Sequence, residues 1–243
     1  SVLRSSIFLS SSSRVFSSSS ICFSYAASFG FESLEGEAQV GLYRRYLSEF
    51  NKISVREESG LNIVVNQLGL IAEQHVDPTL LLTRKEWDEI AVDPRFKSKY
   101  ILVYMIPKQD AVISYAESLS KETGLPIVIL SKNFRPLNAR HAGNSSPQEF
   151  VGWFKNAEFV VTNSFHGTVF SIIYNKKLCL ELKNSRGFNV RSKSFLDTCG
   201  ISYEVNEGII YLNKVNWNNV DKNLNSERNK SRAYLSGIIE DQD

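Results

Sequence analysis

The sequence has few of the residues that disulfide frameworks and metal sites require. It contains three cysteines, three histidines and one methionine in 243 residues. The cysteines lack metal-type spacing and are odd in number, which favours a reducing compartment over a disulfide framework. We therefore expect Cys179 and Cys199 to be small buried residues. Because the histidines and carboxylates show no ligand spacing, no metal site and no cofactor are predicted.

The chain also lacks long apolar runs and a strong net charge. No run approaches the length of about 18 residues that spans a bilayer, so we expect no stable membrane insertion. The formal net charge of +2 is too small to indicate nucleic acid as a partner. These features exclude several classes of partner, and the expected location is cytoplasmic.

Serine dominates the start of the chain. Half of the first 24 residues are serine, and no acidic residue comes before Glu32. A serine-rich, acid-poor start is typical of a transit peptide or of a disordered end. The segment 1–24 is therefore predicted to be transit-like or disordered and to stand apart from the folded domains.

From Asn51 onward, apolar runs alternate with amphipathic stretches, which is the pattern of βαβ units. A short strand is predicted at 52–57, and near-continuous apolar runs predict four buried parallel strands at 100–105, 126–130, 157–162 and 177–182. Caps and Gly or Pro punctuation predict helices at 59–68, 84–91, 109–123 and 147–156, with one or two closing helices at 216–239. The predicted fold is α/β, a doubly wound parallel sheet whose strands end at one ligand-binding edge.

The segment FVVTNSFHGTVFS at 159–171 combines a strand, a turn and a helix. Asn163 or Ser164 is predicted to cap the helix, and Gly167 to allow a ligand or a neighbouring backbone to approach closely. The start of a helix suits an anion, and His166 stands where it can exchange protons with a bound ligand. By pattern alone, a lone histidine after a strand is more often a packing residue than a catalytic one.

Five segments in order carry a resemblance to a known family. They are SYAASFG at 24–30, ISVREESG at 53–60, VDPTLLL at 76–82, SPQEFVGWFKNAEFVVTNSFHGTVFS at 146–171 and NVRSKSFLDTCGI at 189–201. On these residues the chain resembles the polysaccharide pyruvyl transferase family over about 24–235.

The resemblance implies a fold like that of the two-lobed GT-B glycosyltransferases. The segment 25–92 is then a remnant of an incomplete N-terminal lobe with its linker, and 93–243 is the C-terminal Rossmann-like lobe with closing helices. The donor implied is phosphoenolpyruvate. The acceptor implied is a hydroxyl pair of a cell-surface glycan, such as an exopolysaccharide or cell-wall polymer, or of a lipid-linked oligosaccharide.

The resemblance also implies roles for individual residues. His166 is expected to be the general acid or base, and Arg56 and Arg191 to hold a carboxylate or phosphate. The substrate-binding set is completed by Asn163, Ser164, Phe165 and Gly167. Many members have an arginine where this chain has Ser164, so anion binding would depend on helix amides and other cations. From the residues alone, Arg56 fits an ion pair with Glu57 or Glu58, and Arg191 fits a solvated helix position.

Two other functions remain open from the sequence. A nucleotide-sugar glycosyltransferase of the same fold would use a carboxylate such as Glu181 to hold ribose hydroxyls. A truncated, non-catalytic donor-binding fragment would lack most of the first lobe. The polar loop 131–146, with Lys132, Arg135, Arg140 and His141, is a candidate for part of the acceptor surface, and a solvated basic loop is the alternative.

Overall fold

The computed structural model describes residues 22–36, 39–106, 109–131, 139–182, 188–212 and 214–240. Most of the segment 1–24 lies outside these ranges, so its predicted character stays a prediction. The contacts divide the chain into two compact units. The first unit comprises the described residues up to Leu81 with those of Ser185–Cys199 and Asp221–Asp243, and the second comprises Leu82–Asn184 and Gly200–Val220.

The predicted division into 25–92 and 93–243 stays a prediction. The contacts group the chain differently, because they place Ser185–Cys199 and the chain from Asp221 with the residues before Leu82. A sequence pattern cannot show this grouping, since it depends on contacts between distant segments.

Nine β-strands and eight α-helices lie within the described residues. The strands are β1 (Ser54–Val55), β2 (Glu73–Gln74), β3 (Ile101–Tyr104), β4 (Ile127–Ile129), β5 (Arg140–His141), β6 (Phe159–Thr162), β7 (Lys177–Glu181), β8 (Val205–Asn206) and β9 (Ile209–Leu212). The helices are α1 (Val40–Leu47), α2 (Glu58–Asn62), α3 (Arg84–Ile90), α4 (Asp110–Thr123), α5 (Pro147–Asn156), α6 (Phe165–Ile173), α7 (Phe188–Thr198) and α8 (Trp217–Glu240).

The second unit is built on a seven-stranded sheet of order β5-β4-β3-β6-β7-β9-β8. The first five strands in that order are parallel, as the apolar runs predict. Helix α4 packs on one face through Val112 and Ala116. Helix α5 contacts the sheet through Phe150, whose ring lies 5.1 Å from that of Tyr104. The predicted α/β fold, a doubly wound and predominantly parallel sheet, is confirmed.

Three strands of this sheet were not predicted from the sequence. Strand β5 has only two residues, and β8 and β9 form an antiparallel hairpin at the opposite edge. Its two-residue turn has positive φ at Glu207 (49°) and Gly208 (78°). This geometry suits a tight hairpin, but glutamate rarely adopts it, so the sequence carries a weak turn signal.

Local start signals fixed two helices of the second unit closely. Thr83 and Glu86 form a complete capping box at α3, and Ser146 and Glu149 form another at α5. Helix α5 has the predicted bounds because Pro147 occupies its first turn. These predictions are confirmed, since each rests on residues three apart in the sequence.

The first unit has a smaller parallel sheet, in which β1 pairs with β2. The predicted helix 59–68 is α2 followed by a π-helical turn at Ile63–Gln67, and Gly69 ends it with φ of 65°. Helix α8 is a single helix in place of the one or two predicted. Near its end the side chain of Ile238 is buried, whereas that of Ile239 is 66% exposed.

Candidate functional site

The second unit carries the turn that the sequence singled out, between β6 and α6. Parallel pairing aligns Thr162, the last residue of β6, with Tyr104 of β3 and Leu180 of β7. The turn therefore lies at the carboxyl edge of the sheet, where open α/β sheets bind ligands. Every residue from Phe159 to Tyr174 is buried except His166, which is half-buried.

Hydrogen bonds fix the backbone of this turn. Thr162 Oγ1 donates to the Tyr104 carbonyl at 2.5 Å and accepts from the Ser164 amide at 3.0 Å. Asn163 Oδ1 accepts from the Ile106 amide at 2.8 Å. These bonds join the end of β3 to the end of β6, so Thr162 and Asn163 hold the start of α6 in place.

The cap of α6 is at one of the two predicted residues, but without the expected side-chain hydrogen bond. Ser164 is the N-cap residue, but its hydroxyl makes no hydrogen bond to the helix. That hydroxyl bonds instead to the Tyr104 phenol; burial raises the pKa of Tyr104, and this bond partly lowers it. Asn163 is committed to the Ile106 amide. Both residues are buried, so their sequence-based role in binding substrate stays a prediction.

Gly167 has a packing role that the sequence did not reveal. A Cβ atom at this position would lie 2.2 Å from Thr162 Oγ1 and 2.9 Å from Thr162 Cβ. These distances are far below van der Waals contact, so only glycine lets the first turn of α6 approach β6. The approach that Gly167 permits is therefore that of a neighbouring side chain, and a contact with substrate stays a prediction.

His166 occupies the second position of α6, beside the buried ring of Phe165. The two ring centroids are 5.3 Å apart with an interplanar angle of 72°. A helix directs its first N–H groups and a partial positive charge out of its N-terminal end. The imidazole is thus partly exposed, and it lies at the edge of the sheet in the first turn of a helix. This position suits proton exchange with an anionic ligand.

In the first unit, Arg56 follows β1 and is engaged by carboxylates. Its side chain is 14% exposed; Nη1 forms an ion pair with Asp77 Oδ2, and Nε lies 3.7 Å from Glu57 Oε2. The ion pair with Glu57 matches one reading of the sequence, whereas Asp77, which lies 21 residues further along the chain, was not foreseen. Arg56 therefore sits in a nearly buried charge cluster.

Glu57 orders the segment that precedes the small sheet. Its Oε1 accepts hydrogen bonds from Ser28 Oγ at 2.8 Å and from the amides of Phe29 at 3.0 Å and Gly30 at 3.4 Å. The carboxylate is buried and charge-assisted bonds of this kind are strong. Glu57 therefore ties two of the resemblance segments, 24–30 and 53–60, to each other.

Helix α8 supports Asp77 from the other side. Ser231 Oγ accepts from the Val76 amide at 3.1 Å, and Arg228 Nε donates to the Leu80 carbonyl at 2.8 Å. Asp77 Oδ1 accepts from the Thr79 amide at 3.0 Å, which leaves Oδ2 for Arg56. The segment 76–80 is thus anchored at both ends, and its anchoring sets where the Arg56 guanidinium lies.

Arg191 lies on α7 close to the same cluster. Burial lowers the pKa of its guanidinium, nearby Arg56 lowers it further, and Glu57 and Asp77 raise it. The structure therefore brings Arg56 and Arg191 together in the first unit, and it brings residues 163–167 together in the second. The two arginines share this partly buried place with the carboxylates of Glu57 and Asp77, which balance their charge.

Glu181, the carboxylate considered for a nucleotide-sugar enzyme, is half-buried at the carboxyl end of β7. Its Oε1 accepts from Gln109 Nε2 at 3.5 Å. Strand β7 is the direct neighbour of β6, so Glu181 lies at the same edge of the sheet as His166.

Two cysteines are packed in the interior. Cys179 and Cys199 are buried as predicted, and burial raises the pKa of the Cys179 thiol to about 12. Within the described ranges, no three His, Cys, Asp or Glu side chains are grouped so that they could hold a metal ion. None of the described helices has both the length and the apolar character needed to cross a bilayer.

The fold is α/β, and the turn lies at the carboxyl ends of parallel strands, the edge at which open α/β sheets bind ligands. The sequence matches the model of the polysaccharide pyruvyl transferase family over residues 13–179. This range includes Arg56 and the whole turn around His166, and it ends before Arg191. The chain belongs to the polysaccharide pyruvyl transferase family, which is a family of transferases.

Comparisons with curated proteins and with solved structures add little to the family match. No curated protein matches the chain. Among solved structures, UDP-N-acetylglucosamine 2-epimerase from Rickettsia bellii is similar with 14% identity and a TM-score of 0.42. The match covers 70% of this chain and 52% of that structure, so the chain spans about half the length of the structure it matches.

Proposed function

We propose that this protein transfers a pyruvyl ketal from phosphoenolpyruvate to a pair of hydroxyls on a sugar. Family membership supports the reaction class, and one structural observation supports the residue: His166 is the one accessible side chain from Phe159 to Tyr174. The acceptor in this proposal is a cell-surface glycan, such as an exopolysaccharide or cell-wall polymer, or its lipid-linked precursor. A cytoplasmic location belongs to the same proposal.

The reaction needs one acid, one base and a site for anions. Protonation of the methylene carbon of phosphoenolpyruvate makes the adjacent carbon electrophilic, and a sugar hydroxyl attacks it with loss of its proton. The carbon–oxygen bond to phosphate then breaks and inorganic phosphate leaves. A second hydroxyl attacks the same carbon, loses its proton and closes the ketal. No oxidant, reductant or metal is required by this balance.

In this proposal His166 carries the proton. A histidine near an anion favours its protonated form, because opposite charge stabilises the imidazolium. The imidazolium could then protonate the methylene carbon, and the neutral ring could accept a proton from an attacking hydroxyl. The half-exposed position of His166 in the first turn of α6 supports both steps.

Arg56 and Arg191 are proposed to bind the carboxylate and phosphate of the donor. Their proximity and partial burial support this role, since guanidinium groups make strong paired bonds to such anions in poorly solvated places. Asp77 orients the Arg56 guanidinium, and Arg191 lies near it on α7. This assignment concerns the first unit and is tested separately from His166.

A nucleotide-sugar glycosyltransferase is the second candidate function. One observation favours it: Glu181 provides a carboxylate at the carboxyl edge of the sheet, where a ribose would bind in such an enzyme. The two candidates differ in donor. A pyruvyl transferase binds phosphoenolpyruvate, whereas the alternative binds a nucleoside diphosphate sugar.

Donor binding separates the two. We expect phosphoenolpyruvate to raise the thermal unfolding midpoint of the protein, and UDP-glucose and GDP-mannose to leave it unchanged. The variant Arg191→Gln should lose most of the shift. Arg45→Gln, which removes an exposed arginine from α1, is the matched control and should keep the shift. A shift with the nucleotide sugars alone would contradict the proposal and favour the glycosyltransferase.

Catalysis needs its own assay, because a donor-binding fragment without activity would give the same shifts. Phosphate release from phosphoenolpyruvate in the presence of a panel of oligosaccharides of different sugar composition measures turnover. Release that depends on an acceptor, with a product heavier by a pyruvyl ketal, is the expected result. Binding without release from any acceptor would support the non-catalytic alternative.

A further inference from the structure

A cavity of about 500 Å³ lies in the second unit, away from the turn residues already described. Its wall is formed by the segment that follows α3, by β5 and the residues after it, and by Glu149 and Trp153 of α5. Small-molecule sites typically have volumes of about 300–1,000 Å³, so the cavity is large enough for more than an inorganic ion. The residues that bear on its chemistry are Asp93, Arg95, Arg140, Asn144, Glu149 and Trp153.

The acidic groups of the wall are engaged with other groups of the protein. Glu149 Oε2 accepts from the Ser146 amide at 2.8 Å in the α5 capping box, and this bond lowers the pKa of Glu149. Asp93 Oδ1 accepts from Asn156 Nδ2 at 2.9 Å and lies 3.8 Å from Lys155 Nζ. Both carboxylates therefore have partners that reduce their effect on a ligand.

The basic groups of the wall are in a different position. Arg95 and Arg140 are exposed, and within the described part of the chain neither forms an ion pair within 4.0 Å, although Arg95 is near enough to help lower the pKa of Glu149. Arg140 Cζ lies 4.7 Å from the centre of the Phe96 ring, which orients its guanidinium by a cation–π contact. Two exposed arginines on a wall whose carboxylates are engaged by Ser146, Asn156 and Lys155 leave the cavity suited to an anion.

The rest of the wall suits hydroxyl groups. The exposed side-chain amide of Asn144 offers one acceptor and two donors. Trp153 Nε1 donates to Ser145 Oγ at 2.9 Å, so the indole forms a fixed wall with its polar atom satisfied. If the arginines bind the anionic group of a ligand, the neighbouring hydroxyls of that ligand will therefore contact the polar, preformed surface that contains Asn144 and Trp153.

We propose that this cavity binds an acidic saccharide, with Arg95 and Arg140 holding its carboxylate or phosphate and Asn144 bonding its hydroxyls. The inference is independent of the proposed function, because it concerns binding in the absence of any donor. If both hold, the cavity recognises an acidic residue of the acceptor glycan.

Calorimetric titration of the intact protein with four probes tests this proposal. The probes are glucuronic acid, glucose 6-phosphate, glucose and inorganic phosphate. We expect the two acidic sugars to bind at least tenfold more tightly than glucose or inorganic phosphate. The stronger of the two identifies the source of the charge as a carboxylate or a phosphate. Equal binding of glucose would contradict recognition of an acid, and equal binding of phosphate would contradict recognition of a sugar.

Variants assign the binding to the cavity. The double variant Arg95→Gln/Arg140→Gln should weaken acidic-sugar binding at least tenfold, and Asn144→Asp should weaken it by charge repulsion. The matched control Lys85→Gln/Lys222→Gln removes two exposed positive charges elsewhere and should bind normally. Binding is compared only for variants whose urea unfolding midpoint equals that of the wild type. Unchanged binding in the folded double variant, or no binding of any acidic sugar to the wild type, would overturn the proposal.

Discussion

The turn around His166 and the charge cluster around Arg56 place polar residues in nearly buried positions by different means. The turn is made of residues close together in the sequence, and its bonds run from Thr162 and Asn163 to the adjacent strand end. The cluster joins side chains from distant segments, since Arg56 meets Asp77 from another loop and Arg191 from α7. The turn is thus a local structure, whereas the cluster exists only after the first unit has folded.

The two regions also differ in how their charge is balanced. The cluster contains two arginines and two carboxylates, which compensate one another at low exposure. The turn exposes one titratable side chain and buries its neighbours. We therefore expect charge changes in the cluster to alter stability, and the loss of His166 to alter activity alone.

The largest effect on stability is expected from Asp77→Asn. Asparagine keeps the oxygen that accepts from Thr79 but removes the charge that faces Arg56. Breaking a buried ion pair by removing one partner typically costs about 3–5 kcal/mol, and we expect the lower end of this range because Glu57 still faces Arg56. Urea unfolding measures the loss, and Asp221→Asn, at an exposed position, is the control. A loss no greater than that of the control would mean that the cluster does not stabilise the first unit.

Gly167→Ala tests the packing of the turn. The added Cβ would overlap Thr162, and overpacking of this kind costs roughly 1–3 kcal/mol. Gly237→Ala on α8 is the matched control, because no atom lies within 4 Å of its added Cβ. The control should be neutral or stabilising, since alanine favours a helix. If both substitutions had the same effect, close packing would not explain the glycine at 167.

The smallest effect is expected from pH, through His75. Its ring is buried, Nδ1 lies 2.8 Å from Ser54 Oγ, and burial lowers its pKa from the ordinary value of 6.5. Nearby Glu73 raises the pKa and Lys230 lowers it. The unfolded chain therefore binds the proton more readily than the folded one, so stability falls as the pH drops below 6.5.

One proton contributes at most about 1.4 kcal/mol per pH unit to this dependence. Unfolding free energies between pH 7.5 and pH 5.5 should therefore decrease in the wild type and remain flatter in His75→Gln. An equal slope in both proteins would show that other groups cause the acid sensitivity.

The structural elements that depend on residues close together in the sequence could be predicted from the sequence. The capping boxes at Thr83 and Ser146 depend on residues three positions apart, and the four central strands are marked by their apolar runs. The hairpin at Glu207 was missed because its turn uses an unusual residue with positive φ. A pattern of apolar residues carries no information on such a turn.

The candidate site also has local features that the sequence reveals and long-range features that it does not. His166 and its turn could be found from the sequence, because strand, turn and helix are contiguous. The packing role of Gly167 required the distance to Thr162. The second partner of Arg56, Asp77, could not be found, because it reaches Arg56 only through a fold in which α8 anchors the segment 76–80. Residue pairing across separate segments is set by tertiary contacts.

The most direct test of the account is the activity of His166→Ala. Removal of a general acid or base typically lowers the rate by roughly 10²–10⁴-fold, and the half-exposed position of the ring predicts an unchanged unfolding midpoint. Lys85→Ala is the control, because Lys85 occupies the same position in the first turn of α3. Loss of acceptor-dependent phosphate release from phosphoenolpyruvate in folded His166→Ala, with normal release by Lys85→Ala, is the predicted result. Normal release by folded His166→Ala would contradict the central claim.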